Sequence, residues 1–346
     1  MDGEIKNLIK VWLSVIASLC YTYFIASKIP KGKPRLFALL PVFSLFTTLP
    51  LHLSSPLLTG ITAFFITWLA NFKLLLFSFD MGPLSTSDPP ISLLHFISLA
   101  CLPIRTKPKN QYPSHQNSEK PPKLPLNLAA KSMLFAVLVC VYDYKKYVHP
   151  NVILVMYCCL VYLFVDIVLA VSNAVVRAVI GIELESPSDE PYFSTSLQDF
   201  WGRRWNLTTT NTLRHTVYKP VRSFLGVALG IDWAPLPAVL TAFIVSGLMH
   251  ELLFFYITRV SPTWEITWFF VLHGVCVVVE LGVKKVFAGR WRLHWAVSAP
   301  LTVGFVVITS AWLFFPPLAR NGAVAGAIEE CQALVEFVKG KLSFTL

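Results

Sequence analysis

Eight long stretches of this chain carry no charge or almost none: Leu8 to Ala26, Leu36 to Leu53, Pro56 to Phe79, Leu128 to Tyr142, Val152 to Val176, Ala238 to Ile257, Trp264 to Val283 and Leu293 to Phe315. A helix of roughly 20 apolar residues reaches across the hydrocarbon layer of a bilayer. Backbone groups in lipid must bond within their own segment, so such stretches fold as helices. The expected fold is therefore all-α, a polytopic transmembrane helix bundle of about eight spans, with seven to nine as the range. Charged residues make up 14% of the 346, against roughly 25% in a soluble domain. Together with a mean hydropathy of +0.61, that leaves little room for a separate soluble domain. Residues 1–346 are expected to form a single membrane domain.

A ninth apolar stretch, Pro90 to Ile104, is about 15 residues long and bounded by prolines, which suits a re-entrant or interfacial segment better than a crossing. Lys6 and Lys10 before the first run imitate a secretory signal, but Asp2 and Glu4 lie in its head and no small-residue cleavage site closes it. It is read as the first span. With eight spans, most of the 29 Lys and Arg residues fall in loops on one side, which the positive-inside rule makes cytosolic. These loops include a polar one at 105–127 and the longest one at 181–234, while a tail follows at 320–346. The net charge of +10 has no stacking aromatics on a polar background beside it, so no nucleic-acid partner is implied. The seven cysteines are mostly inside apolar runs with no C-x-x-C, so neither a disulfide framework nor a zinc site is expected.

Histidine spacing excludes one large class of membrane enzyme. No two of the eight histidines are closer than 20 residues, whereas di-iron desaturases need ligands grouped on one helical face. No G-x-S-x-G elbow and no phosphate-binding loop of the G-x-x-x-x-G-K-[ST] type occurs either. What remains is Ser196 to Asn206, where Ser196 stands three residues before Asp199 as a helix cap and Leu197, Phe200, Trp201 and Trp205 are expected on one face. Gln198, Arg203, Arg204 and Asn206 offer donors for phosphate or carbonyl oxygen. An amphipathic connector whose arginines meet lipid headgroups explains the same pattern.

His250 and Glu251 interrupt the Ala238 to Ile257 run, one turn after Ser246 and Gly247. Charged groups at mid-membrane cost about 3 kcal/mol each, so they are expected to face an interior cavity, where Gly247 allows a close approach. Histidine is well suited to take a proton from a hydroxyl at neutral pH. A histidine simply hydrogen-bonded between helices is the alternative. His273 and Glu280 repeat the pattern on one face of the next run. Of the other intramembrane charges, Lys73 and Lys131 are expected to snorkel, and Asp166 has either a structural partner or a catalytic role.

SLQDFWGRRWN at Ser196 to Asn206, with SGLMHE at Ser246 to Glu251 placing a histidine 44 residues after the asparagine, resembles the membrane-bound O-acyltransferase family in its plant wax synthase branch. FVLHGVCVVVE at Phe270 to Glu280, SLCYTYFIASKIPKGKPRL at Ser18 to Leu36 and WLANFKLLLFSFDMGPL at Trp68 to Leu84 are similar to the same branch. The resemblance implies a catalytic pair at Asn206 and His250, in a buried tunnel, with acyl-CoA as co-substrate, no cofactor and no metal. It implies a wax ester made on a long-chain alcohol, a sterol being the rival acceptor, in the endoplasmic reticulum membrane. His250 would be the general base and Asn206 the oxyanion or thioester donor, the two side chains within about 10 Å of each other. Gln198, Asp199, Trp201, Arg203, Arg204, Trp205, Ser246, Glu251 and His273 are the expected substrate-binding residues, with Arg203 and Arg204 on the phosphates of coenzyme A. A transporter or channel using His250, Glu251, His273 and Glu280 is the reading from a different class; the lack of an internal repeat weakens it. The tail from Ala323 to Val338 reads as an interfacial helix. Asn206-Leu207-Thr208 is also a formal glycosylation sequon, so a glycan there would place this loop in the lumen.

Overall fold

Regular structure in the computed structural model is helical, and residues 2–85, 91–103, 127–181, 184–286 and 293–343 are described. Helix starts follow the local chemistry. After α1 (Asp2–Phe24), α2 (Lys33–Thr48) begins behind Gly32 with φ 96° and a proline in its first turn. The Ser55 side chain accepts from Leu58 N–H to open α3 (Pro56–Ala63), which runs through a π-helical turn, Phe64–Ala70, into α4 (Asn71–Ser78). Ser92 caps α5 (Leu93–Cys101) and Asn127 caps α6 (Leu128–Val141). Next, α7 (Pro150–Ile180) starts on proline and stops at Gly181, whose φ of 73° is the left-handed conformation that ends helices. The remaining helices are α8 (Leu197–Asp199), α9 (Leu207–Leu213), α10 (Lys219–Leu229), α11 (Pro235–Thr258), α12 (Glu265–Val286), α13 (Trp295–Thr309), α14 (Pro316–Arg320) and α15 (Ala323–Ser343).

Among the described residues, seven helical segments are long and apolar enough to cross a membrane: Gly3–Lys28, Lys33–His52, Pro56–Ser78, Pro150–Ala178, Pro235–Thr258, Glu265–Val286 and Trp295–Phe314. The protein is an all-α polytopic membrane protein. The expected span at Leu128 to Tyr142 is the shorter α6, whose 14 residues rise only about 21 Å. Its start is fixed by the Asn127 cap, and it lengthens at the other end through a 3-10 turn, Tyr142–Tyr147. The nine residues of α5 span about 14 Å, too little to cross. Nearly all of the polar loop at 105–127 lies outside the described residues.

The chain forms two compact units, each assembled from separate stretches of sequence. The first comprises Met1–Pro103, Asn211–Val275 and Pro316–Glu330. Its interior holds Leu19, Phe46, Ile66, Trp68 and Leu69. Glycines set how closely α11 meets α12: a Cβ on Gly247 would lie 3.0 Å from Thr267 Cα, and one on Gly274 would lie 2.8 Å from Phe243 Cβ. The close approach expected at Gly247 is therefore made by a neighbouring helix. Arg259, left-handed at the end of α11, donates to the carbonyls of Pro50, Leu51 and Leu53. The tail is more than an interfacial helix, because Glu330 accepts from Ser55 Oγ at 2.8 Å and Leu57 N–H at 3.1 Å. Glu4 accepts from the N–H groups of Ser54 and Ser55 at the same junction.

The second unit comprises Ile104–Thr210, Cys276–Phe315 and Cys331–Leu346. There α6 packs on α7, and α13 packs on α7 and on the short turn Pro191–Phe193. The two lysines expected to snorkel do not. Lys73 is buried and its ammonium donates to the carbonyls of Leu99 and Leu102, both at 2.6 Å, satisfying the C-terminal end of α5. Lys131 pairs with Asp166 at 2.6 Å, so the partner of Asp166 is structural. A buried cation in an apolar surrounding keeps its charge only with such partners.

Candidate active site

In the first unit the candidate base is held by its own helix and by rings from two others. His250 Nδ1 lies 2.7 Å from the carbonyl oxygen of Ser246, one turn earlier on α11. A carbonyl only accepts, so Nδ1 carries the proton and Nε2 carries the lone pair. The imidazole stacks on Phe270, centroids 4.3 Å apart at 28°, and meets Trp68 edge-on at 4.8 Å. Ser246 thus contributes its backbone oxygen to orienting the ring.

Glu251, next in sequence, points elsewhere. It is 4% exposed, and its Oε1 accepts from Thr267 N–H at 3.1 Å, in the first turn of α12. This is a carboxylate on the positive end of a neighbouring helix. His273 is wholly buried in the first unit against the Phe269 ring at 4.3 Å. Glu280, expected to share its face in a polar path, belongs to the second unit, where it accepts from Lys284 Nζ at 2.5 Å and from Gln198 N–H at 3.1 Å.

In the second unit the Ser196 cap is present: its Oγ accepts from Asp199 N–H at 3.2 Å while Asp199 Oδ2 accepts from Thr195 N–H. The helix that follows differs from a single amphipathic stripe. It widens into a π-helical turn at Phe200–Arg204, closed by Trp205 N–H donating to Phe200 O at 2.8 Å. Trp205 leaves the helix in an extended conformation, and its ring folds back to stack on Phe200, centroids 6.1 Å apart at 14°. Trp201 O and Trp205 O receive the Thr210 hydroxyl. Gln198 Oε1 accepts from Lys284 Nζ at 3.0 Å. Arg203 is exposed. Arg204 donates to Asp199 at 2.8 Å and to the carbonyls of Asp189 and Glu190.

Asn206 follows with φ +37°, left-handed backbone that asparagine tolerates better than most residues and that clusters at functional sites. Its Oδ1 accepts from Thr209 N–H at 3.2 Å at the start of α9, so its Nδ2 is the end that donates. Leu207 N–H donates to Pro187 O, tying this turn to the 187–190 segment. Asn206 belongs to the second unit and His250 to the first.

Glu190 stands outside the sequence motifs, yet it precedes a proline and still adopts φ 45°, ψ 67°, a region that such a residue normally avoids. Tyr162 and Tyr192 also stand outside those motifs. Their hydroxyl oxygens, with Glu190 Oε1, are buried and make no hydrogen bond among the described residues.

A polytopic helical membrane protein with a histidine of fixed tautomer inside one span, and an asparagine on a strained turn, is what the fold and these side chains define. The profile of the membrane bound O-acyl transferase family matches residues 185–272, an interval that contains Glu190, Asn206 and His250. A long-chain-alcohol O-fatty-acyltransferase of Simmondsia chinensis is 47% identical, over 99% of this chain and 98% of its own. A probable long-chain-alcohol O-fatty-acyltransferase 3 of Arabidopsis thaliana is 47% identical over 100% and 99%. The acyl-CoA–sterol O-acyltransferase 1 of the same plant is 44% identical over 96% of each chain. The chain belongs to the membrane-bound O-acyltransferase family and is an acyltransferase.

Proposed function

We propose that the protein transfers a fatty acyl group from acyl-CoA to the hydroxyl of a long-chain alcohol and so makes a wax ester in the endoplasmic reticulum membrane. The observation that carries this reading is the 2.7 Å bond from His250 to the Ser246 carbonyl, which leaves the lone pair on Nε2. Nε2 takes the alcohol proton as the oxygen attacks the thioester carbonyl. Asn206 Nδ2 donates to the oxyanion as it forms. The C–S bond then breaks, and the imidazolium returns its proton to the departing thiolate, leaving ester and free coenzyme A. Of the two arginines, Arg203 is the exposed one, and it meets the coenzyme A phosphates from the cytosolic side. Arg204 instead holds Asp199 and the 189–190 carbonyls. The proposed roles need no cofactor or metal.

Relatives with alcohol and sterol names are 47% and 44% identical, respectively. Purified protein in proteoliposomes, given labelled acyl-CoA with hexadecanol or with a sterol, tests the reading. Labelled wax ester with hexadecanol is expected. Labelled sterol ester alone, or no ester with either acceptor, overturns it.

A further inference from the structure

Four polar atoms of the second unit, Tyr162 Oη on α7 and Ser188 Oγ, Glu190 Oε1 and Tyr192 Oη in the segment before α8, are buried without a hydrogen-bond partner among the described residues. A buried polar group left unmet costs about 1–3 kcal/mol, so four together mark a place shaped for something that bonds to them. The Tyr162 and Tyr192 rings meet edge to face, centroids 6.2 Å apart, and Tyr162 also lies 6.0 Å from Trp205. Burial pushes the Tyr192 phenol up to about 12, with Glu190, two residues earlier in the chain, Tyr162 and Asp166 adding to the effect and Lys131 opposing it.

The backbone that presents Glu190 is held in place from the sequence motif. Glu190 adopts left-handed dihedrals just before a proline, a strained combination that persists only where the surroundings enforce it. Here Arg204 enforces it: its guanidinium donates to the carbonyls of Asp189 and Glu190, its own carbonyl accepts from Asp189 N–H at 2.9 Å, and Asp199 fixes the guanidinium. Such a turn has few ways to relax, and the carboxylate stays where it is.

The chemistry of the four atoms selects the ligand. A carboxylate oxygen only accepts, whereas phenol and serine hydroxyls donate or accept. One hydroxyl group satisfies both kinds at a single oxygen by donating to Glu190 and accepting from a tyrosine. A thioester or ester carbonyl only accepts and leaves Glu190 unmet. An ammonium would meet Lys131, whose Nζ already lies 5.9 Å from the Tyr162 ring centroid. Tyr162 stands within the membrane-length segment Pro150–Ala178, so the hydroxyl arrives on an apolar stem.

We propose that Glu190, Tyr162 and Tyr192 form a hydroxyl-binding site that takes the head group of the long-chain alcohol before it passes to the base that removes its proton. This deepens the wax-ester reading and rests on it for the identity of the alcohol. The test uses full-length protein in proteoliposomes and a diazirine-bearing hexadecanol as photolabel. Hexadecanol is expected to compete with the label, while hexadecane and hexadecylamine do not. Glu190→Gln, Tyr162→Phe and Tyr192→Phe are each expected to lower labelling about tenfold, the loss of one hydrogen bond to a buried partner. In turnover assays the same variants raise KM for the alcohol about tenfold and move KM for acyl-CoA less than about twofold. Tyr192→Phe removes one oxygen and keeps the ring, and the competition series needs no variant at all. Wild-type labelling in all three variants, equal competition by hexadecane or hexadecylamine, or a change confined to KM for acyl-CoA overturns the site. If the wild-type protein is labelled and the variants are not, yet no ester forms, the site stands and the wax-ester reading falls. If ester forms while the variants keep the wild-type KM for the alcohol, the site falls alone.

Discussion

The imidazole of His250 donates from Nδ1 to the carbonyl oxygen of Ser246 at 2.7 Å, which fixes the lone pair on Nε2 before any substrate arrives. A general base placed this way contributes about 100-fold to 10,000-fold to a proton transfer. His250→Ala is expected to lower ester formation at least about 100-fold, measured in microsomes at matched expression. Ester output within a few-fold of wild type would remove the base from the mechanism.

Asn206 has two ends with different duties. Its Oδ1 caps α9 through Thr209 N–H, and aspartate caps a helix about as well as asparagine. Asn206→Asp therefore keeps the cap and loses the Nδ2 donor. The expected outcome is a thermal midpoint close to wild type with kcat about 100-fold lower. A matched loss of midpoint and activity would instead make Asn206 a structural cap.

Glu251 is adjacent to the base in sequence, but it accepts a backbone N–H from Thr267. Glutamine keeps an oxygen there and alanine does not. Glu251→Ala is expected to destabilise by about 0.5–2 kcal/mol and Glu251→Gln by much less, read as unfolding midpoints in detergent. Glu251→Gln should retain near wild-type turnover. A large fall in kcat with an unchanged midpoint would place Glu251 in the reaction.

Gly274 has no room for a methyl group, since a Cβ there would lie 2.8 Å from Phe243 Cβ and 3.2 Å from Leu240 Cδ1. Gly274→Ala is expected to destabilise by about 1–3 kcal/mol through overpacking. Gly282, on the same helix, has nothing within 4 Å of its would-be Cβ. Gly282→Ala is expected to be neutral or stabilising by up to about 1 kcal/mol. Thermal shift assays on the pair separate packing from helix propensity.

Much of the architecture can be read from local pattern. Uncharged stretches place seven membrane-length helices, and the serine at 196 opens its helix as its spacing to Asp199 foretells. Partners far apart in sequence cannot be read this way. Lys131 looks like a cation near a span end until Asp166 is seen beside it, and Lys73 until the end of α5 arrives next to it. Gly247 signals close approach, but not that α12 is what approaches. The stripe expected from Leu197 to Trp205 assumes 3.6 residues per turn, and the widening at Phe200–Arg204 breaks that period. Nothing periodic marks Glu190, whose importance lies in a backbone conformation and in atoms that meet no partner.

The clamp at Ser55 and Leu57 has a bearing on biosynthesis. Its acceptor, Glu330, is translated 275 residues after the serine it holds, so the ribosome delivers the third span to the bilayer long before that carboxylate exists. Insertion of the early helices and completion of their junction are thus separate events in time.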